Sequence, residues 1–329
     1  MPKTIIASIC AVLLLLSLNA CAKKSNLPEA VLTREFLTTI SNDTTQQCAL
    51  CLVPKGNIRG VIVLLSGFGT NHPRETEEET DIPRAAAVKG FLTIIPQFGD
   101  WSTLHIDSAS QQALERVLRE ATEKHRLQGK PLVLGGFSLG GSGAVLYTER
   151  ALRSASMLRP TALFAIDPPL DFERFTHNAA KAVQRLHLDR IKDAQKDEYL
   201  YLTTALAKAF GGGTIFTNPA FRAASPYIRS DTTLANIRSL VGLPLRFYHE
   251  ADYRYWRERN PDDDFQSNVL DQSSMIADLH SLGSTNATLM LTEGKGVRKR
   301  EQNRRHPHSW SIADAQELVQ WIESNLGKK

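Results

Sequence analysis

The sequence has 329 residues, of which 42% are hydrophobic and 22% are charged, a composition typical of globular proteins with an ordinary core. This length suits one large domain or two smaller ones. The formal net charge of +4 is too small and too dispersed to indicate a nucleic-acid-binding protein, and no internal repeat or low-complexity block is evident.

The N-terminus predicts an export signal that is not part of the fold. Lys3 gives it a positive start, and a mostly apolar stretch of 14 residues follows at 5–18, which is too short to span a bilayer comfortably. Leu18, Asn19, Ala20 and Cys21 then resemble the lipobox of bacterial lipoproteins: an aliphatic residue stands three positions before the cysteine and a small residue directly before it.

The lipobox resemblance implies that residues 1–20 are a signal peptide and that the cleaved chain begins with a lipid-modified Cys21. Residues 21–34 would then be a tether, and residues 35–329 would form the folded domain. Acyl chains on Cys21 would hold the protein on a membrane surface of the bacterial cell envelope without a spanning helix. The alternative is an ordinary cleaved secretory signal, and in both cases the protein is exported.

Cys48 and Cys51 could form a disulfide in an oxidising compartment. They lie in a predicted strand at 47–53, where positions three apart point to opposite faces and lie about 10 Å apart. Because that is too far for a disulfide, we expect two small, half-buried thiols. A redox or metal-binding Cys-x-x-Cys would need a second ligand pair, which the sequence lacks, so we expect no metal.

Apolar runs that alternate with helical segments predict an α/β fold with a mostly parallel central sheet and helices on both faces. Residues 35–40 and 47–53 read as an antiparallel edge hairpin, and the continuous apolar run Gly60–Leu65 is typical of a central parallel strand. Further strands are predicted at 91–96, 132–134, 161–166, 244–248 and 287–291, and helices at 108–127, 144–152, 273–283 and 312–326.

Residues from about 170 to 240 interrupt this alternation. The segment is largely polar and helical, with three consecutive glycines at 211–213. It lies between two strands, on the side where active-site loops emerge. We interpret it as a cap over the site, the alternative being a peripheral helical excursion without substrate contact.

A serine stands at the apex of a predicted strand–turn–helix. Gly136, Phe137, Ser138, Leu139 and Gly140 follow the strand directly, and a serine on such a turn has a strained backbone. The residues two positions before and after the serine come so close to neighbouring backbone that a Cβ on either would clash, which explains why both are glycine. The hydroxyl is then exposed above the sheet edge, over a helix N-terminus. A glycine-rich turn that only packs closely, as in nucleotide-binding folds, is the alternative.

A second glycine-rich turn follows the predicted central strand, at Ser66, Gly67, Phe68 and Gly69. Backbone N–H groups at such a strand end can face a reacting carbonyl oxygen. We expect an oxyanion hole made by the N–H groups of Phe68 and Leu139. The alternative is a plain tight turn.

Together with His308 before the final predicted helix, these two turns resemble the α/β-hydrolase fold family from about residue 35 to the C-terminus. That family orders its triad as serine, acid, histidine. The resemblance implies that Ser138 is the nucleophile and His308 the base, with His306 as the rival. The family usually has His-Gly where Ser66-Gly67 stands here, so no lipase or esterase subgroup is implied.

The acid of the triad is expected after the strand that ends near Tyr248. Asp252 is our prediction and Glu250 the runner-up. The acidic run at 262–264 reads as an exposed loop, and the remaining histidines as surface or packing residues.

The expected activity is hydrolysis of an ester or related acyl bond by a Ser-His-Asp triad through an acyl-enzyme, without a cofactor. A peptidase or acyltransferase on the same triad, a non-catalytic lipid-anchored binding protein and a structural envelope protein are the alternatives. Six basic residues near His308 could attract an anionic substrate or lipid headgroups, or could simply be solvated: Lys295, Arg298, Lys299, Arg300, Arg304 and Arg305.

Overall fold

The structure is a computed structural model, and it describes residues 32–37, 48–184, 193–210, 218–259 and 267–326. The predicted signal peptide, Cys21, most of the predicted tether, the glycines at 211–213 and the acidic run at 262–264 lie outside the described residues.

The described residues form one eight-stranded sheet and one small two-stranded sheet. The strands are β1 (Leu32–Leu37), β2 (Cys48–Pro54), β3 (Gly60–Leu65), β4 (Phe91–Gln97), β5 (Leu132–Phe137), β6 (Ala162–Ile166), β7 (Leu245–Glu250), β8 (Ala287–Thr292), β9 (Val297–Arg298) and β10 (Arg304–Arg305). The large sheet has the order β1-β2-β4-β3-β5-β6-β7-β8. Strand β2 is antiparallel to β1 and β4, and all other pairs in this sheet are parallel. The predicted mostly parallel sheet and its antiparallel edge hairpin are therefore confirmed.

Ten helices flank the strands within the described ranges. They are α1 (Pro73–Glu79), α2 (Ile82–Val88), α3 (Ser108–Lys124), α4 (Leu139–Arg153), α5 (Phe172–Gln184), α6 (Asp193–Phe210), α7 (Pro219–Ala224), α8 (Tyr253–Arg259), α9 (Val269–Ser281) and α10 (Ala315–Asn325). Helices α3, α4 and α9 cover one face of the large sheet, and α2 and α10 cover the other. No helix in the described part of the chain is both long and apolar enough to span a membrane.

Strand β3 shows why a continuous apolar run marks a central strand. Val61, Val63 and Leu65 face the core beneath α3 and α4, whereas Ile62 and Leu64 face the core beneath α2 and α10. Both faces of the strand are therefore buried, and a polar side chain at any of these positions would lose its hydration.

The edge hairpin differs from the prediction in its bounds. Strand β1 spans Leu32–Leu37, where Leu32 pairs with Pro54, whereas the sequence predicted this strand at 35–40. Cys48 and Cys51 lie in β2 and form no disulfide, as predicted, but both are fully buried and not half-buried. Strand β2 lies between β1 and β4, so it is not at the edge of the sheet, and Cys51 packs in the core with Leu114 and Val117 of α3.

Candidate active site

The turn at Ser138 has the strained geometry that its sequence predicts. Ser138 has φ 53° and ψ −127°, in a region that L-residues rarely adopt. A Cβ on Gly136 would lie 2.5 Å from the backbone of Gly140, and a Cβ on Gly140 would lie 2.3 Å from the carbonyl oxygen of Leu65. The steric reason for both glycines is therefore confirmed, and the N-terminus of α4 packs directly on the end of β3.

His308 lies beside this turn and binds a carboxylate. Its Nδ1 is 2.6 Å from Oδ2 of Asp167, and its ring packs against Phe137 with a centroid distance of 4.5 Å. The backbone N–H of Ser138 donates to the carbonyl oxygen of Ile166 at 2.9 Å, which ties the serine turn to the residue before Asp167. The turn after β5, the end of β6 and the loop before α10 thus place serine, carboxylate and imidazole at one edge of the sheet.

Asp252, the predicted acid, has other partners in the structure, and the carboxylate that binds His308 is that of Asp167. Asp252 Oδ2 accepts a hydrogen bond from Nη2 of Arg305 at 2.6 Å. Its Oδ1 accepts from the backbone N–H of Tyr255 at 2.9 Å, in the first turn of α8. The side chain therefore caps a helix and anchors the loop that carries Arg305.

The runner-up Glu250 is occupied in the same way. Its Oε2 accepts hydrogen bonds from the backbone N–H groups of Lys295 and Gly296, both at 2.8 Å. Its other oxygen forms an ion pair with Arg305. Glu250 is fully buried, and it holds the loop that leads to His308 without contacting the imidazole.

Asp167 also binds a second imidazole, that of His249, which was not predicted from the sequence. His249, at the end of β7, has its Nδ1 2.7 Å from Oδ1 of Asp167, and the Gln272 amide donates to the same oxygen at 3.2 Å. Burial alone would raise the pKa of Asp167, but the charges and hydrogen bonds of His249 and His308 outweigh burial and hold this pKa well below its usual range. The carboxylate therefore stays ionised at neutral pH.

His306, the rival base, has a different environment. Its Nδ1 accepts the backbone N–H of His308 at 3.2 Å, and its ring packs against Tyr255 and Trp256. Burial, reinforced by the nearby positive charge of Arg298, lowers the pKa of His306 to about 2. His306 therefore stays neutral and stiffens the backbone at His308.

The glycine turn after β3 packs against the serine turn. A Cβ on Gly67 would lie 2.8 Å from the ring of Phe137. The N–H of Gly69 donates to the carbonyl oxygen of Trp101 at 2.8 Å, which fixes the far side of the turn. Phe68 stands between these two anchors, and Leu139 is the first residue of α4, where backbone N–H groups lack partners within the helix.

A cavity of about 490 Å³ opens at this edge of the sheet. Its aromatic wall includes Phe68, Trp101, Phe137, Tyr201 and His308. Its charged rim consists of Glu75, Glu79, Arg298, Arg300 and Glu301.

The segment predicted as a cap contributes to this cavity. Tyr201 of α6 stands edge-on to Trp101 with a centroid distance of 4.3 Å, and Leu202 packs in one apolar cluster with Leu139. A buried ion pair between Arg174 of α5 and Asp271 of α9 fixes the base of the segment, with N–O distances of 2.5 and 2.6 Å. Helix α6 therefore lies over the serine turn.

The predicted basic loop is largely neutralised by neighbouring acids. Lys299 forms an ion pair with Asp81 at 2.7 Å, and Arg300 with Glu75 at 2.7 Å. Arg305 binds Glu250 and Asp252, as described above. These cations attach the loop to α1 and to the end of β7, which argues against the loop as an attractor of anions.

The sequence did contain a signal for the residue that binds His308. Asp167 directly follows β6, and β6 pairs in parallel with β5, the strand that leads to Ser138. A carboxylate at the carboxyl end of the neighbouring strand is as well placed as one after β7. His249 carries no comparable signal, because it lies inside an apolar strand where a histidine is usually only packed.

A scan against protein-family models finds no match, and neither does a search of curated proteins. Solved structures do match. The chain is similar to carboxyl esterase 2 from the fungus Tuber melanosporum, at 15% identity and a TM-score of 0.56 over 96% of both chains. It is similar to an S-formylglutathione hydrolase from Agrobacterium tumefaciens, at 15% identity and a TM-score of 0.54 over 90% of this chain and 96% of the other.

It is also similar to the acylaminoacyl peptidase of Pyrococcus horikoshii, at 12% identity and a TM-score of 0.54, over 92% of this chain and 43% of the peptidase. At these identities the likeness concerns the fold. The strand order, the antiparallel β2 and these structural neighbours together assign the chain to the α/β-hydrolase fold.

Proposed function

We propose that this protein is a serine hydrolase that cleaves an ester or related acyl bond, with Ser138 as nucleophile, His308 as base and Asp167 as the acid. The observation that carries the proposal is the hydrogen bond between His308 and Asp167, directly beside the strained turn at Ser138. A buried, ionised carboxylate on Nδ1 of a histidine leaves Nε2 as the proton acceptor, which is what an alcohol nucleophile needs.

The proposed reaction has two steps. The Ser138 hydroxyl attacks the acyl carbon while His308 takes its proton, and Asp167 stabilises the imidazolium that forms. The N–H groups of Phe68 and Leu139 would receive the negative charge on the carbonyl oxygen, a contribution of about 3–4 kcal/mol for each donor. His308 then protonates the leaving group, and finally it deprotonates the water that hydrolyses the acyl-enzyme.

The walls of the cavity support an acyl or alcohol group with an apolar or aromatic part. Trp101 and Tyr201 offer ring surfaces next to the proposed oxyanion site, and aromatic side chains gain most from burying such groups. The carboxyl esterase and the S-formylglutathione hydrolase among the structural neighbours support this substrate class.

A fluorophosphonate probe tests the proposal, because it reacts covalently only with an activated serine. We expect labelling of the wild type and none of Ser138→Ala. Ser142→Ala is the matched control: Ser142 lies one turn further along α4, and its hydroxyl donates to the carbonyl oxygen of Pro169. A folded wild type that neither reacts with the probe nor hydrolyses p-nitrophenyl esters would instead favour a binding protein.

We further propose that the protein is exported and anchored to a membrane through a lipid on Cys21. The support is the lipobox resemblance of residues 18–21, together with the start of β1 at Leu32, eleven positions after Cys21. Such a spacing leaves a short linker between the membrane surface and the fold. Fractionation of cells should find the wild type with membranes and Cys21→Ser in a soluble fraction; an unchanged distribution would contradict the anchor.

A further inference from the structure

A second cluster of reactive side chains lies on the edge hairpin, three strands away from β5 and independent of the proposed hydrolase site. Glu35 and Cys51 are direct cross-strand partners in β1 and β2, so their side chains project from the same face. His125 caps the C-terminus of α3 and reaches the same point. One ligand atom from each of the three residues lies within 4.8 Å of the others.

We propose that Glu35, Cys51 and His125 bind a zinc ion. A carboxylate oxygen, a thiolate and an imidazole nitrogen are the three ligand types that zinc takes from proteins. Softer metals would prefer more sulfur, and magnesium or calcium would require oxygen ligands only. A water molecule would complete the tetrahedron.

Two of the three ligand atoms already meet in a largely buried pair. Oε1 of Glu35 and Nε2 of His125 lie 2.7 Å apart, and Nζ of Lys124 lies 3.4 Å from the same carboxylate oxygen. The His125 side chain is only 10% exposed. A zinc ion would replace this pair with two metal–ligand bonds, so both atoms would keep a partner in the buried site.

The distances require only a small adjustment. Zinc bonds of about 2.0–2.3 Å in a tetrahedron place ligand atoms about 3.3–3.8 Å apart. The Glu35 oxygen and the His125 nitrogen, now 2.7 Å apart, would therefore separate by somewhat less than about 1 Å, and the Cys51 sulfur, which lies within 4.8 Å of both, would close the remaining gap. The Glu35 side chain is about one-third exposed, so it has room to turn.

Two features of the metal-free site disfavour zinc binding, and the double positive charge of the ion offsets both. Burial raises the pKa of the Cys51 thiol to about 12, so the metal-free residue is protonated, and zinc must release this proton to solvent as the sulfur–metal bond forms. Lys124 lies 3.4 Å from the Glu35 carboxylate, but its side chain is 42% exposed and is free to swing into water.

The consequence would be a clamp between β1 and α3. Strand β1 is the edge of the sheet, where strands have only one hydrogen-bonded neighbour and open most easily. A metal held by β1, β2 and the end of α3 would fasten this edge to the helix layer. It would stabilise the folded state by mass action, since the unfolded chain does not hold the three ligands together.

Titration of the purified, chelator-treated full chain with Co²⁺, a spectroscopic substitute for zinc, tests the proposal. We expect one equivalent to bind with a sulfur-to-cobalt charge-transfer band in the near ultraviolet, and Zn²⁺ to displace it and raise the unfolding temperature. Cys51→Ser should lose the band and at least about 100-fold in affinity, more than the loss of an outer-shell partner typically costs. His125→Gln should weaken binding while leaving the band.

Cys48→Ser is the matched control, because Cys48 is a buried thiol on the same strand outside the cluster. It should keep the band. A wild-type protein that shows no cobalt band would overturn the proposal, and this result does not depend on the folding of any variant. An undiminished band in Cys51→Ser, or a loss in Cys48→Ser as complete as in Cys51→Ser, would overturn it as well.

Discussion

Replacement of Asp167 by asparagine tests which carboxylate serves the proposed triad. Asp167 is buried and holds two imidazoles at 2.6 and 2.7 Å. Asparagine has nearly the same shape, but its NH₂ group can face Nδ1 of His308. The imidazole would then carry its proton on Nε2, where it could no longer accept the proton of Ser138.

The expected loss in kcat/KM is about 10³- to 10⁴-fold, because the imidazolium of the transition state also loses its buried counter-charge. At about 1.36 kcal/mol per factor of ten, this corresponds to about 4–5.5 kcal/mol of transition-state stabilisation. Asp252→Asn is the control. Asp252 and Arg305 are both about 30% exposed, and such partly solvated pairs contribute about 0–1 kcal/mol, so activity should stay within about fivefold of the wild type.

The assay is hydrolysis of a p-nitrophenyl ester by the purified variants, with circular dichroism to show that each is folded. A folded Asp167→Asn protein that keeps a tenth or more of the wild-type kcat/KM would refute the assignment. So would an Asp252→Asn protein that loses as much as Asp167→Asn, since the structure gives that carboxylate no contact with His308.

Three further predictions concern the turn, the core and the cap. Gly140→Ala should abolish activity and destabilise the fold, because its Cβ would meet backbone oxygens at 2.3 Å, whereas Gly242→Ala, with open space around it, should be tolerated. Burial lowers the pKa of His105 to about 4. Between about pH 6.5 and pH 4 this histidine is therefore protonated in the unfolded chain but neutral in the folded protein. The free energy of unfolding should fall by about 1.4 kcal/mol per pH unit over this range as the pH is lowered. His105→Asn, which tolerates the local φ of 62°, should reduce that slope in urea unfolding, and parallel curves would contradict it. Tyr201→Ala should raise KM for aromatic or long-chain esters about 2- to 10-fold, which is the worth of one aromatic contact, but leave fluorophosphonate labelling unchanged. A KM for these esters equal to that of the wild type would place Tyr201 outside the substrate path.

The candidate site was predictable where a residue is constrained by its immediate neighbours in the chain. Ser138 could be recognised because the flanking glycines are required by contacts within one turn and with the adjacent strand. His308 could be recognised as the histidine before the last helix. The choice of acid could not be made in this way, because Asp167 and Asp252 both follow strands that end at the same edge of the sheet.

Arg305 shows why the sequence could not identify the carboxylate that binds His308. It lies 53 positions after Asp252, and only the folded loop brings the two together. The same loop offers its backbone N–H groups to Glu250. Both acids after β7 are thereby occupied, and the pairing of β5 with β6 leaves Asp167 for the imidazole.

By itself the sequence indicated the strands of the large sheet, its mostly parallel order with an antiparallel edge, and the strained serine turn. Apolar periodicity and the steric demands of glycine act over a few residues, so they can be read along the chain. Only the tertiary structure decided that Asp167 binds both His249 and His308, that α6 adds Tyr201 to the cavity, and that Glu35, Cys51 and His125 meet. These contacts join residues that lie far apart in the sequence. Which charged and hydrogen-bonding groups meet is decided only when the strand order and the paths of the loops are fixed.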